Sequence, residues 1–158
     1  MTPAKGKQGK DNMKLKLTDS WFNAESESKD NYFFLRGRDS LTNFIKSSLY
    51  NDRVEIIWPY SSLNGLFYPD DNESKLMALF EDSLVNKLEG DLHSILSFVY
   101  TGNGKRIWHW YTRSFQDFNK RLNLALSGFD KLPITIKRIH EPDWSEYLDA
   151  MRGSGLIK

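Results

Sequence analysis

Three histidines, His93, His109 and His140, are the side chains of this chain that titrate nearest neutral pH, so proton-transfer chemistry is sought first around them. His109 holds the most suggestive position. It lies in the run KRIWHWYTR, where alternation puts Ile107, His109 and Tyr111 on one strand face, followed by Arg113, and Trp108 and Trp110 on the other. With Glu55 from a neighbouring strand, His109, Tyr111 and Arg113 could line a pocket for a small ligand or a reaction. The plain alternative is a histidine packed in a core with one ring nitrogen satisfied.

Other chemistry finds less support. No histidine has a second histidine or a glutamate at metal-ligand spacing and cysteine is absent, so neither a metal nor a cofactor is expected. The sequence lacks GxSxG, GxxxxGK[ST] and GxGxxG patterns. Gly102-Asn103-Gly104-Lys105 falls inside a hairpin, without the helix N-terminus that would hold a phosphate. The carboxylate pairs have structural work to do: Asp70 and Asp71 at a helix start, Glu81 and Asp82 on a solvated face, Glu141 and Asp143 around a proline. No catalytic residue is assigned, and an enzyme is the less favoured class.

Stacking of RNA bases is the third option, because Trp58, Tyr60, Trp108, Trp110 and Tyr111 all fall on strands. Charge argues against it. Lys5, Lys7, Lys10, Lys14 and Lys16 against Asp11 make the first sixteen residues +4, which leaves the rest of a +1 chain at −3 and without a basic stripe. Residues 1–18 are expected to be a Lys-rich disordered tail, with Met13 as a possible natural start, residues 19–152 a single domain and 153–158 a flexible tail. The lack of cysteine, of a long apolar run and of a secretory leader fits a cytoplasmic protein without membrane insertion.

The elements that would position these residues are legible from periodicity. Short strands are expected near Trp21 to Ala24 and Tyr32 to Gly37 around the polar turn ESESKD, and a weak helical pattern runs from Asp39 to Tyr50 with Asp39 or Ser40 as cap. RVEIIWPY, from Arg53, is a strand with Val54, Ile56, Trp58 and Tyr60 on one face and Glu55 and Ile57 on the other. A helix runs from the capping pair Asp70 and Glu73 to Gly90, with Leu76, Phe80, Leu84 and Leu88 every four residues, joined by Met77 and Val85, as one broad apolar stripe. The hairpin Asp91 to Ser114 follows, turning at Gly102-Asn103-Gly104. Ser114 caps a helix bearing Phe115, Phe118, Leu122 and Leu126, ended by Gly128. LPITIKRI is a half-buried strand with Ile134 and Ile136 inward, and Pro142 opens a last helix carrying Trp144, Tyr147, Leu148 and Met151.

The order strand, helix, strand, strand, helix, strand from Arg53 to Ile139 predicts an α+β, ferredoxin-like split βαββαβ core with an N-terminal β-hairpin and a C-terminal helix added. Its sheet would place the Arg53 and Lys105 strands centrally and the His93 and Pro133 strands at the edges, with the N-terminal hairpin and last helix packed as additions that cover an edge or part of the open face. Both helices would cover one face, packed on Trp108 and Trp110, leaving His109 and Tyr111 to look the other way.

Trp21, then Thr101-Gly102-Asn103-Gly104-Lys105-Arg106 leading to Tyr111, then Glu141-Pro142-Asp143-Trp144 followed by Tyr147, resembles the bacterial domain of unknown function 695 family over about Ser20 to Met151. Glu141 stands where that family typically has aspartate. Similar domains sometimes accompany a module like a ribonuclease E inhibitor, so the resemblance implies regulation through protein contacts and carries over no catalytic residue. The leading expectation is a non-enzymatic interaction or regulatory domain with another protein as partner.

Overall fold

The computed structural model describes residues 15–26, 32–61 and 67–153. The Lys-rich start including Met13, most of the ESESKD turn and the stretch after Gly153 lie outside the described residues. Six strands form one antiparallel sheet: β1 (Trp21–Glu25), β2 (Phe33–Arg38), β3 (Asp52–Pro59), β4 (Ser94–Gly102), β5 (Lys105–Thr112) and β6 (Thr135–His140). Among the described residues four helices accompany it: α1 (Thr42–Lys46), α2 (Asp71–Leu88), α3 (Phe115–Leu126) and α4 (Ser145–Gly153). The strand order is β1-β2-β4-β5-β3-β6.

This order corrects one expectation. The β4 strand is not left as an edge, because the added β1–β2 hairpin covers it: β2 pairs along it from Phe33 opposite Gly102 to Gly37 opposite Phe98, and β1 extends the sheet further. Burial on both faces, which the unbroken apolar run in β4 required, is thereby matched by pairing on both sides. At the turn, Asn103 and Gly104 both have positive φ, 52° and 75°, the geometry of a two-residue turn between right-twisted strands.

Alternation along the strands builds two cores. On the first face, Val54, Ile56, Trp58, Trp108 and Trp110 bury themselves against Met77, Phe80, Leu84 and Leu88 of α2 and Phe118 and Leu122 of α3. Asp70 caps α2 by accepting from the Glu73 amide at 2.8 Å, while the Glu73 carboxylate accepts from Trp58 Nε1 at 2.9 Å. Met77 is buried and Val85 packs partly against this core, as the stripe requires, but Leu76 stays outside it, at 36% exposure. Ser114 caps α3 as its sequence requires, accepting from the Asp117 amide at 3.2 Å.

The second core, on the opposite face, joins Ile95, Phe98 and Tyr111 to Leu41, Phe44, Tyr50, Trp144, Tyr147 and Met151. A β-bulge creates part of it: Leu96 pairs with Trp110 and Phe98 with His109, leaving Ser97 as the extra residue. Ser97 Oγ donates to the His109 carbonyl at 2.7 Å, so the irregularity is held by its own side chain.

Three further expectations are corrected. The Asp39 to Tyr50 pattern yields only the five-residue α1, with Leu41 rather than Asp39 or Ser40 at its N-cap, because Ser40 already sits at φ 63°. The last helix begins at Ser145, not Pro142: Glu141 to Trp144 form a turn in which Trp144 adopts φ 57° and donates its amide to the Glu141 carbonyl at 3.2 Å. Finally, Ile134 packs against the first core as expected, but β6 beyond it is an exposed edge instead of a half-buried strand, with Ile136 at 37% exposure, since α3 meets it through Phe115 under Arg138.

Candidate functional site

The second face of the sheet holds the groups singled out for chemistry, and they form a buried polar cluster. In β3, Arg53 and Glu55 point to this face by alternation, opposite Tyr111 and His109 of β5. Glu141, at the end of β6, arrives from the other side. Arg53 Nε donates to Glu141 Oε1 at 3.0 Å, its Nη1 donates to Glu55 Oε2, and the same nitrogen lies 3.2 Å from His109 Nδ1. Tyr111 Oη donates to Glu141 Oε2, which also accepts from the Glu146 amide at 3.1 Å.

These bonds fix protonation states. A guanidinium can only donate, so His109 Nδ1 accepts and the ring is the neutral tautomer with its proton on Nε2. Burial first and the Arg53 charge second push its pKa down to about 3. Burial, reinforced by the Glu141 carboxylate, raises the Tyr111 phenol far above its ordinary range. Burial also opposes the Arg53 charge, but its bonds to Glu55 and Glu141 outweigh it and raise the pKa. The His109 ring lies flat on Phe98, with centroids 4.0 Å apart and planes 11° from parallel. Near neutral pH, then, the histidine is a neutral stacking ring, and the arginine is doubly paired.

Of the four predicted site residues, the structure brings together Glu55, His109 and Tyr111 and separates Arg113. The β5 strand ends at Thr112, and Arg113 turns to donate to the Leu92 carbonyl at 3.1 Å and to Tyr50 Oη at 2.9 Å, its guanidinium over the Tyr50 ring. The Tyr50 phenol is itself raised by burial, with Arg113 partly opposing. Sequence reasoning missed Arg53 and Glu141. Arg53 was detectable as a charge in phase with Glu55 on a buried strand; its partner, 88 residues away, carried no local signal.

Helix α4 roofs this cluster. Trp144 stacks on Tyr111 at 3.9 Å and 4°, donates Nε1 to the Tyr50 carbonyl at 2.9 Å, and the Tyr147 amide donates to Tyr111 Oη at 3.2 Å. The roof covers only part of the face. Beyond it a groove of about 680 Å³ opens between α4 and strands β1, β2 and β4. Its floor is Leu35, Phe98 and Tyr100, and its helix wall is Glu146, Asp149, Ala150 and Gly153, one face of α4 at i, i+3, i+4, i+7 spacing. That spacing of two carboxylates and two small residues was the sequence signal for the groove. Among the described residues, no three His, Asp or Glu side chains form a metal-binding group, and no helix is long and apolar enough to cross a membrane.

Comparison with known proteins returned one family. No curated protein and no solved structure matches the chain. A model described as a family of unknown function, DUF695, matches residues 19–151, which include the Trp21 strand, the β4–β5 hairpin and the Glu141 to Trp144 turn that holds α4 on the sheet. The chain therefore belongs to the DUF695 family.

Proposed function

We propose that the chain is a non-enzymatic interaction or regulatory domain that receives another protein on the second face of its sheet. The observation that carries this reading is the contrast across that face: the titratable cluster is neutralised or paired beneath α4, while the adjoining groove has an apolar floor and is open to solvent. A neutral buried imidazole and a doubly paired guanidinium are poor at moving protons, whereas an apolar groove bounded by a helix and strands suits a peptide segment.

We further read the β3-α2-β4-β5-α3-β6 portion as a ferredoxin-like core, supported by the β4-β5-β3-β6 order and the packing of α2 and α3 on one face. The β1–β2 hairpin and α4 are then the additions that make the groove. A cytoplasmic bacterial regulator fits the absence of cysteine and the family resemblance.

The test uses three forms of the tagged full chain in bacterial lysate: wild type, Ala150→Arg, which fills the groove, and Leu124→Arg, on the solvent side of α3 where Leu124 is 62% exposed. A protein identified by mass spectrometry should be retained by wild type and Leu124→Arg, and reduced about tenfold by Ala150→Arg. Recovery of no specific protein, or equal recovery by all three, would overturn the reading.

A further inference from the structure

The groove has a chemistry of its own. Its floor is apolar, and its rim carries Glu25 from β1 with Glu146 and Asp149 from α4; no lysine or arginine lines it among the described residues. Asp149 pairs at 3.0 Å with Arg152, and Glu25 accepts from Tyr32, so the rim carries three carboxylates against one guanidinium. A helix face turned toward a sheet would ordinarily present large apolar side chains. Tyr147 and Met151 do so on the neighbouring face of α4, whereas the groove is walled by Ala150, a small side chain only partly buried against that core, and by Gly153, which has none. The space they leave stays apolar below and anionic above.

Resting on the interaction reading above, we propose that this groove binds an extended segment of a partner protein in which aliphatic side chains alternate with lysine or arginine. An extended chain puts every second side chain on one side, about 7 Å apart. Aliphatic groups then descend onto Leu35, Phe98 and Tyr100, and the intervening cations lie level with Glu25, Glu146 and Asp149. The same rim repels nucleic-acid phosphate, which separates this occupant from RNA. Hydrophobic burial supplies the affinity, and the carboxylates select the sign of the partner and speed its encounter.

Fluorescence polarisation with the full chain tests this, using a labelled Gly-Leu-Lys-Ile-Lys-Gly peptide against Gly-Leu-Glu-Ile-Glu-Gly and Gly-Ser-Lys-Ser-Lys-Gly. The first should bind and the other two should not, with binding falling as salt rises. The double variant Glu146→Lys/Asp149→Lys, altering two exposed positions, should weaken the first peptide about tenfold or more with unchanged circular dichroism. Equal binding of the acidic or the serine peptide, or indifference to the double variant, overturns the proposal. If the peptide fails while Ala150→Arg still abolishes recovery of the partner, the partner chemistry is wrong and the interaction reading stands; if both fail, both fall.

Discussion

At the scale of the residue, His109 shows how position decides between chemistry and packing. The residue is 5% exposed, and its ring is stacked on Phe98 and held neutral by the donor Arg53. The unfolded chain binds a proton at His109 near pH 6.5 and the folded one only near pH 3, so between these values the unfolded state holds more protons. Stability is therefore fully present above pH 6.5 and is lost as the pH falls toward 3, with a limiting slope of about 1.4 kcal/mol per pH unit for one proton. His93, also depressed by burial, adds to the slope in the same direction. His109→Phe keeps a flat ring on Phe98 and leaves Arg53 its two carboxylates. Urea unfolding of this variant from pH 7 to about pH 4 should show a shallower loss of stability than wild type; an identical slope would mean that His109 does not carry the dependence.

At the scale of the element, one carboxylate gathers several of the bonds that tie α4 to the sheet. Glu141 accepts from Arg53, from Tyr111 and from the Glu146 amide at the start of the helix, so a single side chain links β3, β5 and α4. Glu141→Ala leaves the buried Arg53 with Glu55 as its one carboxylate and removes the acceptor of Tyr111. Breaking a buried pair in this way costs about 3 kcal/mol. Hydrogen exchange should show α4 amides losing protection first, with α2 amides following only the global loss. A uniform loss across both helices would show that the α4 roof has no independent opening. The β1–β2 hairpin is held comparably, by Arg38 donating to Glu89 Oε2 at 2.8 Å across a buried contact to the end of α2. A tighter constraint sits where β2 meets β4. A Cβ on Gly102 would lie 2.8 Å from Phe33 Cβ and 3.1 Å from Phe33 Cα, so the clash falls on β2 backbone as well as side chain. Gly102→Ala should cost about 1–3 kcal/mol in thermal or urea unfolding; a neutral result would mean that β2 can shift along its pairing.

The same elements show what the sequence could and could not reveal. Strand and helix periodicity placed β3, α2, β4, β5 and α3, and the assignment of Trp108 and Trp110 to the helix side, because each rests on side chains repeating within one segment. The Asp70 and Ser114 caps were local for the same reason. The start of α4 was missed because Glu141-Pro142-Asp143-Trp144 reads locally as a helix opening, whereas stacking on Tyr111 and the bond to Tyr50 hold Trp144 in a turn. The cluster was half visible: His109, Tyr111 and Glu55 by strand alternation, but not Glu141, whose partners come from distant segments. Arg113 was misplaced by one residue of strand length, since alternation continues on paper past Thr112 where β5 stops.

At the scale of the whole molecule, one sheet is the inner wall of two cores, so each core depends on the pairing that the other supports. Leu84 of α2 is fully buried in the first and Ile95 of β4 in the second. Truncation to alanine at either site removes buried methyl groups and leaves a cavity, at a cost of about 2–5 kcal/mol. If the sheet couples the layers into one cooperative unit, each variant should shift a single transition, with the same midpoint by far-ultraviolet circular dichroism and by tryptophan fluorescence. The two optical probes weigh the cores differently: Trp58, Trp108 and Trp110 report the first and Trp144 the second. The Leu84→Ala/Ile95→Ala double variant should sum the single effects within about 0.5 kcal/mol, because the two side chains pack in separate clusters. Separated midpoints for Ile95→Ala alone would instead identify the α4 layer as a unit that can open while the helix-covered core stays folded.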